Sequence, residues 1–398
     1  MEKDIFMGKK IIVGITGSIA VYKLCSLVST LVQRGAEVSV VMTEAGARFV
    51  GPITFQALTG NPVYQDFWEG ETALDHILLT EEADLLLVAP ATANTIAKMA
   101  HGIADNLLTA AVLAYEGPLL VAPAMNSKMY AHQSHQENLR HLERRGVLLL
   151  EPEVGHLACG VEGKGRLMEP HQILKELEYH LTESDLEGMS FLITAGGTRE
   201  PLDPVRYLGN YSSGRMGYAL AEAAALRGAE VLLVSGPSML EVPPHVQLKQ
   251  VERASEMHQL LLDKASEYQV IIKAAAVADF RPAQQSEDKI KKSGEDLRLK
   301  LLPNPDILAE VGSMKRKDQL LVGFALETRD LVAGAGKKLK SKNLDLVVAN
   351  KASALASDRS KATLVTEAGA EQLPEMSKKL LAYRILDEIL GMKEGRQE

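Results

Sequence analysis

The chain has 398 residues, too many for one ordinary hydrophobic core, so two domains are expected. An apolar fraction of 46% and a charged fraction of 24% are those of a globular protein, and a net charge of −8 excludes general attraction to nucleic acid or to an anionic membrane. Two cysteines, Cys25 and Cys159, exclude a disulfide framework, and no apolar run approaches the roughly 20 residues of a membrane-crossing helix. The charged opening MEKDIFMGKK runs straight into a β pattern, so a cytoplasmic protein with reduced thiols is expected.

In chain order, IIVGITG (11–17) reads as a strand and IAVYKLCSLVSTLVQRG (19–35) as an amphipathic helix. EVSVVMT (37–43), the long apolar DLLLVAPAT (84–92), PLLVAPAM (118–125) and VLLL (147–150) read as further strands, with helical NLLTAAVLAYEG (106–117) and a helix ending at Arg145 between them. The helix HQILKELEYHLTE and a polar link, SDLEG (184–188), close this half. The pattern then restarts with the strand FLITAGG (191–197), a helix from Arg215 to Arg227, the strand EVLLVSG (230–236) and a helix near 254–267. Strands VIIKAAAVADF (270–280), LLVGFALE (320–327) and LDLVVAN (344–350) follow, and the helix SKKLLAYRILDEIL (377–390) ends the series. Short apolar strands alternating with helices imply parallel sheets covered on both faces. The fold class is therefore α/β, with two wound, mostly parallel-sheet domains in series, 1–188 and 189–398.

Ligands of such sheets bind where strands end and helix N-termini offer free N–H groups. In GITGSIA (14–20), Gly17 and Ser18 stand at that position, either on a phosphate or in a tight turn without ligand. The G-x-x-G spacing and the absence of an acidic residue at the end of the second strand, which closes on Thr43, disfavour a dinucleotide and fit a mononucleotide such as FMN better. GNYSSGRM (209–216) has P-loop glycine spacing, but Arg215 and Met216 replace the phosphate lysine and the hydroxyl metal ligand, leaving at most a backbone anion nest.

Several polar residues admit two readings. Asn126, in PAMNSKMY, either caps the next helix or aims its amide at a ligand. His76 is structural or catalytic, and Cys159, in the glycine-rich GHLACGVEGKGR, suits a mobile lid with a proton donor. Cys25 lies in an apolar helical stripe and reads as core, while His132, His135 and His141 read as a solvated helix face rather than a metal set. DKIKKSGED (288–296) is a solvated charge run, or converges with KKLKSKN (337–343) on a triphosphate.

Taken together, GSIAVYK, His76, APAT (89–92), PAMNSKMY and ACG (158–160) in the first half resemble the bifunctional phosphopantothenoylcysteine decarboxylase/phosphopantothenate–cysteine ligase family of bacterial coenzyme A synthesis. TAGGTREPLDPVRYLGNYSSGRMG (194–217), AAVADF, KIKK, NPDI, GFALET and LDLVVAN carry the resemblance through the second half, so it covers essentially the whole chain. Val161 after Cys159–Gly160 and Gly209 before Asn210 depart from the usual pattern without removing a catalytic group.

The resemblance implies a flavodoxin-like, Rossmann-like FMN decarboxylase domain followed by a Rossmann-like ligase domain. It implies that Gly17, Ser18, Thr43, Thr92, Ala93, Asn94 and Thr95 hold FMN. The flavin would oxidise the substrate thiol to a thioaldehyde, giving the departing carboxylate an electron sink. His76 would be base and positioner, Asn126 would grip the carboxylate and Cys159 would return the proton.

In the ligase half, the resemblance implies that CTP and magnesium join 4′-phosphopantothenate to L-cysteine through an acyl-cytidylate. Lys273, Ala274, Ala275, Asp279, Pro305, Asp306, Ile307, Leu308 and Phe324 would surround the nucleotide. Lys289, Lys338 and Lys342 would face its phosphates, and Asn210 with Arg206 would hold the acyl-cytidylate, with no magnesium ligand assigned. A homo-oligomer is implied, a dodecamer of decarboxylase trimers and ligase dimers, with neither nucleic-acid nor membrane partners. A two-domain NAD(P) dehydrogenase and a non-catalytic flavoprotein are the rival readings, disfavoured by the missing fingerprint glycines and by the complete ligase half respectively.

Overall fold

A computed structural model describes residues 4–66, 79–156, 160, 162–292, 297–327, 331–351 and 359–396. The chain divides into two compact units, Met1–Thr182 and Glu183–Glu398. The junction falls ahead of Gly188 because Leu186 is fully buried in the second unit's core and Arg227 pairs with Asp185 at 2.6 Å. Among the described residues, no helix is long and apolar enough to cross a membrane.

The first unit holds a six-stranded sheet in the spatial order Val63–Tyr64, Glu37–Met42, Lys10–Ile15, Leu85–Ala91, Leu119–Pro123, Leu148–Leu149. All neighbours are parallel, with Val13 opposite both Val40 and Leu87. Every residue of Leu85–Ala91 is buried, because helices cover both faces and alternation would put polar groups into a core. Ile11, Val13 and Ile15 pack with Leu24, Phe55 and Ile173 on one face, whereas Ile12 and Leu86 pack with Ile96, Leu107 and Leu139 on the other. A Cβ at Gly14 would lie 2.4 Å from Leu108 Cδ1, so glycine there allows the helix Leu107–Ala114 to approach the sheet.

Strand order reverses between Lys10–Ile15 and Leu85–Ala91, which opens a crevice at their carboxyl ends. Around it stand the short helices Glu44–Ala47, Ala93–His101 and Ser127–Ala131, of which the first two were not read from the sequence and the third is the helix expected after Asn126. The glycine-rich stretch read as a mobile loop has ordered arms instead, Glu153–His156 paired antiparallel with Glu162–Arg166.

The second unit has an eight-stranded sheet in the order Val246–Gln250, Glu230–Ser235, Ser190–Ala195, Val270–Lys273, Leu320–Glu327, Leu346–Lys351, Ala362–Val365, Ala370–Gln372. The first six strands are parallel and the last two add an antiparallel edge. Helices Arg215–Leu226 and Lys378–Glu394 pack on one face, and Ala254–Lys264, Ile307–Met314 and Leu331–Ser341 on the other. The run VIIKAAAVADF leaves the sheet after Lys273. Ala276 bridges back to Gly197, and Phe280–Pro282 forms a separate ribbon with Leu301–Pro303.

Candidate active sites

In the first unit a cleft of about 570 Å³ lies at the strand ends, lined by Gly17, Ser18, Lys23, Thr92, Ala93 and Asn126 among others. Thr16 Oγ1 donates to Pro90 O at 2.5 Å and accepts from Thr92 N at 2.9 Å, so the turn at 17–18 and the turn at 92–93 are tied to one another. Gly17 is both cleft wall and packing glycine, since a Cβ there would meet Ala45 Cβ at 2.6 Å. Thr92 caps Ala93–His101 by accepting from Thr95 N, and the N–H groups of Ala93 and Asn94 begin that helix without an intrahelical acceptor.

Thr43, Asn94 and Thr95 do not line the cleft. Thr43 Oγ1 caps Glu44–Ala47 by accepting from Gly46 N at 3.2 Å, the side chain of Asn94 is exposed, and Thr95 is buried with Oγ1 3.2 Å from Thr92 Oγ1.

Asn126 is the helix cap that one of its sequence readings expected. Its Oδ1 accepts from Lys128 N at 2.9 Å, capping Ser127–Ala131, and the residue also lines the cleft. The hairpin is fastened beside it: Met125 N donates to Gly165 O at 3.0 Å, and a Cβ on Gly165 (φ +144°) would sit 2.3 Å from Met125 O. His76 and Cys159 lie outside the described residues.

Two cleft cations escaped sequence reasoning. Lys23 Nζ lies 2.8 Å from Glu169 Oε1, which also receives Arg166. Lys23 stands in the quoted GSIAVYK, but only the fold brings it to Glu169. Backbone donors at the start of Ala93–His101, two cations, and apolar walls from Ile19, Ala124 and Met129 suit a phosphate joined to a planar ring, so these residues fit FMN.

His135 corrects the solvated-face reading: it is buried against the Tyr130 ring, centroids 5.6 Å apart, and burial lowers its pKa. Cys25 is half-buried against the core, and burial raises its pKa. Among the described residues, no group of three or more His, Cys, Asp or Glu is placed to hold a metal ion.

In the second unit, Lys273 ends the central strand, and its pKa is pushed down to about 8 by burial first, then by repulsion from Lys342 and Lys338, against the attraction of Asp306 and Asp279. Lys342 Nζ is 2.7 Å from Asp306 Oδ2, while Asp306 Oδ1 caps Ile307–Met314 by accepting from Ala309 N at 3.1 Å. Ile307 and Leu308 are core residues, and a Cβ at Gly323 would lie 2.8 Å from Leu308 Cδ2. Phe324 packs against the core on the opposite face of the sheet, and Pro305 O accepts from Ile307 N at 3.1 Å. Asn304 N donates to Asp279 O at 2.8 Å, joining the loop of Asp279 to that of Pro305.

The segment after Lys273 carries a second group. Ala275 N donates to Thr194 Oγ1 at 3.0 Å. Asn210 Nδ2 donates to Ala276 O at 2.5 Å while its Oδ1 accepts from Ser212 N at 3.0 Å. Arg206 pairs with Asp203 at 2.5 Å and donates to Ile290 O at 2.8 Å, next to the exposed Lys289. Asp203, buried in a loop of polar appearance, had no signal in the sequence beyond its place in LDPVRY.

Residues 3–181 match the family model described as Flavoprotein, and residues 186–392 that described as DNA/pantothenate metabolism flavoprotein C-terminal domain. The chain is 45% identical over 401 residues to the coenzyme A biosynthesis bifunctional protein CoaBC of Bacillus subtilis (strain 168), covering 98% of each. It is 44% identical over 393 residues to the protein of that name from Escherichia coli (strain K12), covering 96% of this chain and 97% of the other. A solved C-terminal domain of coenzyme A biosynthesis bifunctional protein CoaBC is 41% identical and covers 54% of this chain and 100% of its own, with a TM-score of 0.47. With both halves matched in one relative over nearly its whole length, the chain belongs to the family of coenzyme A biosynthesis bifunctional proteins CoaBC.

Proposed function

We infer that the chain carries out two consecutive steps of coenzyme A synthesis, ligating 4′-phosphopantothenate to L-cysteine with CTP and then decarboxylating the product with FMN. The reading assigns the ligase to Glu183–Glu398 and the decarboxylase to Met1–Thr182. The observation that carries it is one chain holding a flavin-suited cleft with Asn126 in its wall and a strand end where Lys273 stands among Lys338, Lys342 and Asp306.

In the ligase, a carboxylate oxygen of 4′-phosphopantothenate attacks the α-phosphorus of CTP and pyrophosphate leaves; the cysteine amine then attacks the acyl carbon and CMP leaves. A carboxylate is a weak nucleophile but needs no base, so catalysis rests on neutralising phosphate charge. Lys289 is assigned to that charge, Lys273, Lys338 and Lys342 to the phosphates, and Asn210 and Arg206 to the acyl-cytidylate. Magnesium would arrive with the triphosphate and be held chiefly by its oxygens, as is usual for this ion.

In the decarboxylase, FMN supplies a two-electron acceptor and donor when bound. Gly17, Ser18, Thr92 and Ala93 would hold it, while Thr43 and Thr95 act through the helix starts they order. Asn126, with its oxygen fixed by Lys128 N, presents an amide to the substrate carboxylate. His76 is assigned as base and positioner, and Cys159 as the donor that returns a proton to carbon.

The reading also places the chain in the cytoplasm as a homo-oligomer, a dodecamer of decarboxylase trimers and ligase dimers. The exposure of Ile19 (56%), Tyr22 (61%) and Met129 (52%) around the cleft supports burial by another copy. Light scattering of the purified protein tests the mass.

The deciding experiment combines a visible spectrum with product analysis. The protein should carry releasable FMN, and CTP, 4′-phosphopantothenate and cysteine should yield pyrophosphate and CO2 in equal amounts. Supplying 4′-phosphopantothenoylcysteine directly should give CO2 without CTP. Failure to bind added FMN, or CO2 release that requires CTP in that last assay, overturns the reading.

A further inference from the structure

Asp203 is a carboxylate with no side-chain exposure, in a loop whose neighbours Pro204, Val205 and Arg206 are exposed. Such burial requires full hydrogen bonding. Oδ1 accepts from Val205 N and Arg206 N, both at 2.8 Å. Oδ2 accepts from Arg206 Nε at 3.0 Å, Arg206 Nη2 at 2.5 Å and Ile290 N at 3.1 Å. These bonds, led by that from the Arg206 side chain, hold the carboxyl far below the usual carboxylate range.

The last of these bonds crosses 87 residues of sequence, and it is doubled: Arg206 Nη2 donates to Ile290 O at 2.8 Å. Both main-chain groups of Ile290 are thus gripped by one Asp–Arg pair. A third strut, Ser286 N to Leu202 O at 2.9 Å, fixes the same loop from its other end. A guanidinium has five N–H donors. Nε and Nη2 are committed to Asp203 and Ile290, which among the described residues leaves the two Nη1 hydrogens, on a side chain 44% exposed, for a ligand.

We propose that Asp203 is a positioning residue of the ligase reaction, a single buried anchor that orients Arg206 and fixes the backbone beside Lys289, so that two separate cations are held in one register for the phosphates. The proposal rests on the reading that Lys289 acts in cytidylyl transfer. An amide at this position keeps its size and one acceptor oxygen, but turns a donor toward Arg206 and Ile290 N, so the grip on Ile290 is lost. A misplacement of about 1 Å can cost on the order of 100-fold in rate.

The test is pyrophosphate release from CTP and 4′-phosphopantothenate by the full chain carrying Asp203→Asn, Lys289→Gln, or both. Asp203→Asn should lower kcat on the order of 100-fold, with Asp203→Glu recovering part of the loss. The double variant should be less impaired than the product of the two single losses, because part of the effect of Asp203 runs through the lysine it positions and only the rest through Arg206. Multiplying effects in the double variant, or a wild-type kcat in Asp203→Asn, overturns the proposal. A wild-type rate in Lys289→Gln alone instead overturns the reading beneath it. Should Asp203→Asn fail to fold, Ile290→Pro carries the test: it removes the N–H received by Asp203 and also restricts the backbone at Lys289, so full activity there refutes the anchor.

Discussion

Lys342 Nζ lies 2.9 and 2.7 Å from the two carboxylate oxygens of Asp306, so a lysine assigned to the CTP phosphates is already paired within the protein. Nucleotide must compete with that carboxylate. Asp306→Asn retains the helix cap, since its amide oxygen still accepts from Ala309 N, but removes the competing charge. KM for CTP should fall about two- to fivefold, the scale of a partly exposed ion pair, and Lys342→Met should raise it. Steady-state kinetics at constant salt decide; a higher KM in Asp306→Asn would mean that this carboxylate serves the nucleotide.

Lys273 predicts a pH dependence of opposite sign for binding and for stability. Burial leaves its folded pKa at about 8 against 10.5 for the ordinary side chain. The cation is present below pH 8 and is lost as pH rises through it, so KM for CTP should increase between pH 7 and 9. Lys273→Arg, still charged there, should flatten the rise. The unfolded chain keeps the proton up to about 10.5, so unfolding takes up a proton in that window and the contribution of Lys273 to stability increases with pH. A KM that is flat across this range removes Lys273 from phosphate binding.

The hairpin clamp predicts a variant that separates the two activities. Gly165→Ala would bring a Cβ within 2.3 Å of Met125 O at a φ of +144°, a conformation side chains disfavour. The hairpin must shift away from the segment carrying Asn126. CO2 release should drop more than about tenfold, while pyrophosphate release stays as in the parent. Unchanged CO2 release would show that hairpin position does not matter to the reaction.

Lys289→Gln and Asn210→Asp should fail at different steps. Removing a cation that meets transition-state charge costs about 3 to 4 kcal/mol, a hundred- to thousand-fold in rate, so little acyl-cytidylate should form. Asn210→Asp loses the donor to Ala276 O and sets an anion beside a phosphoanhydride. With labelled CTP it should accumulate acyl-cytidylate and release pyrophosphate without finishing the amide. The reverse pattern would exchange the two assignments.

The division into two wound domains was legible because parallel strands buried on both faces must be apolar throughout, and runs such as Leu85–Ala91 and Ser190–Ala195 announce themselves. Helices with one apolar stripe, such as Val21–Gln33, were equally plain. Short helices were less plain: Ser127–Ala131 buries no residue and rests on its cap at Asn126, whereas Ala93–His101 buries Thr95, Ile96, Met99 and Ala100 at helical spacing but runs for only nine residues. Motif residues named themselves through the family resemblance, but their partners did not. Glu169 meets Lys23 across 146 residues, Ile290 meets Asp203 across 87, and His135 is buried in a helix whose sequence is largely polar. Local sequence encodes which face of an element is apolar, because that is set by backbone periodicity. Which charges end up sharing a site is set by strand order and by loops closing over it, and only tertiary structure decides that.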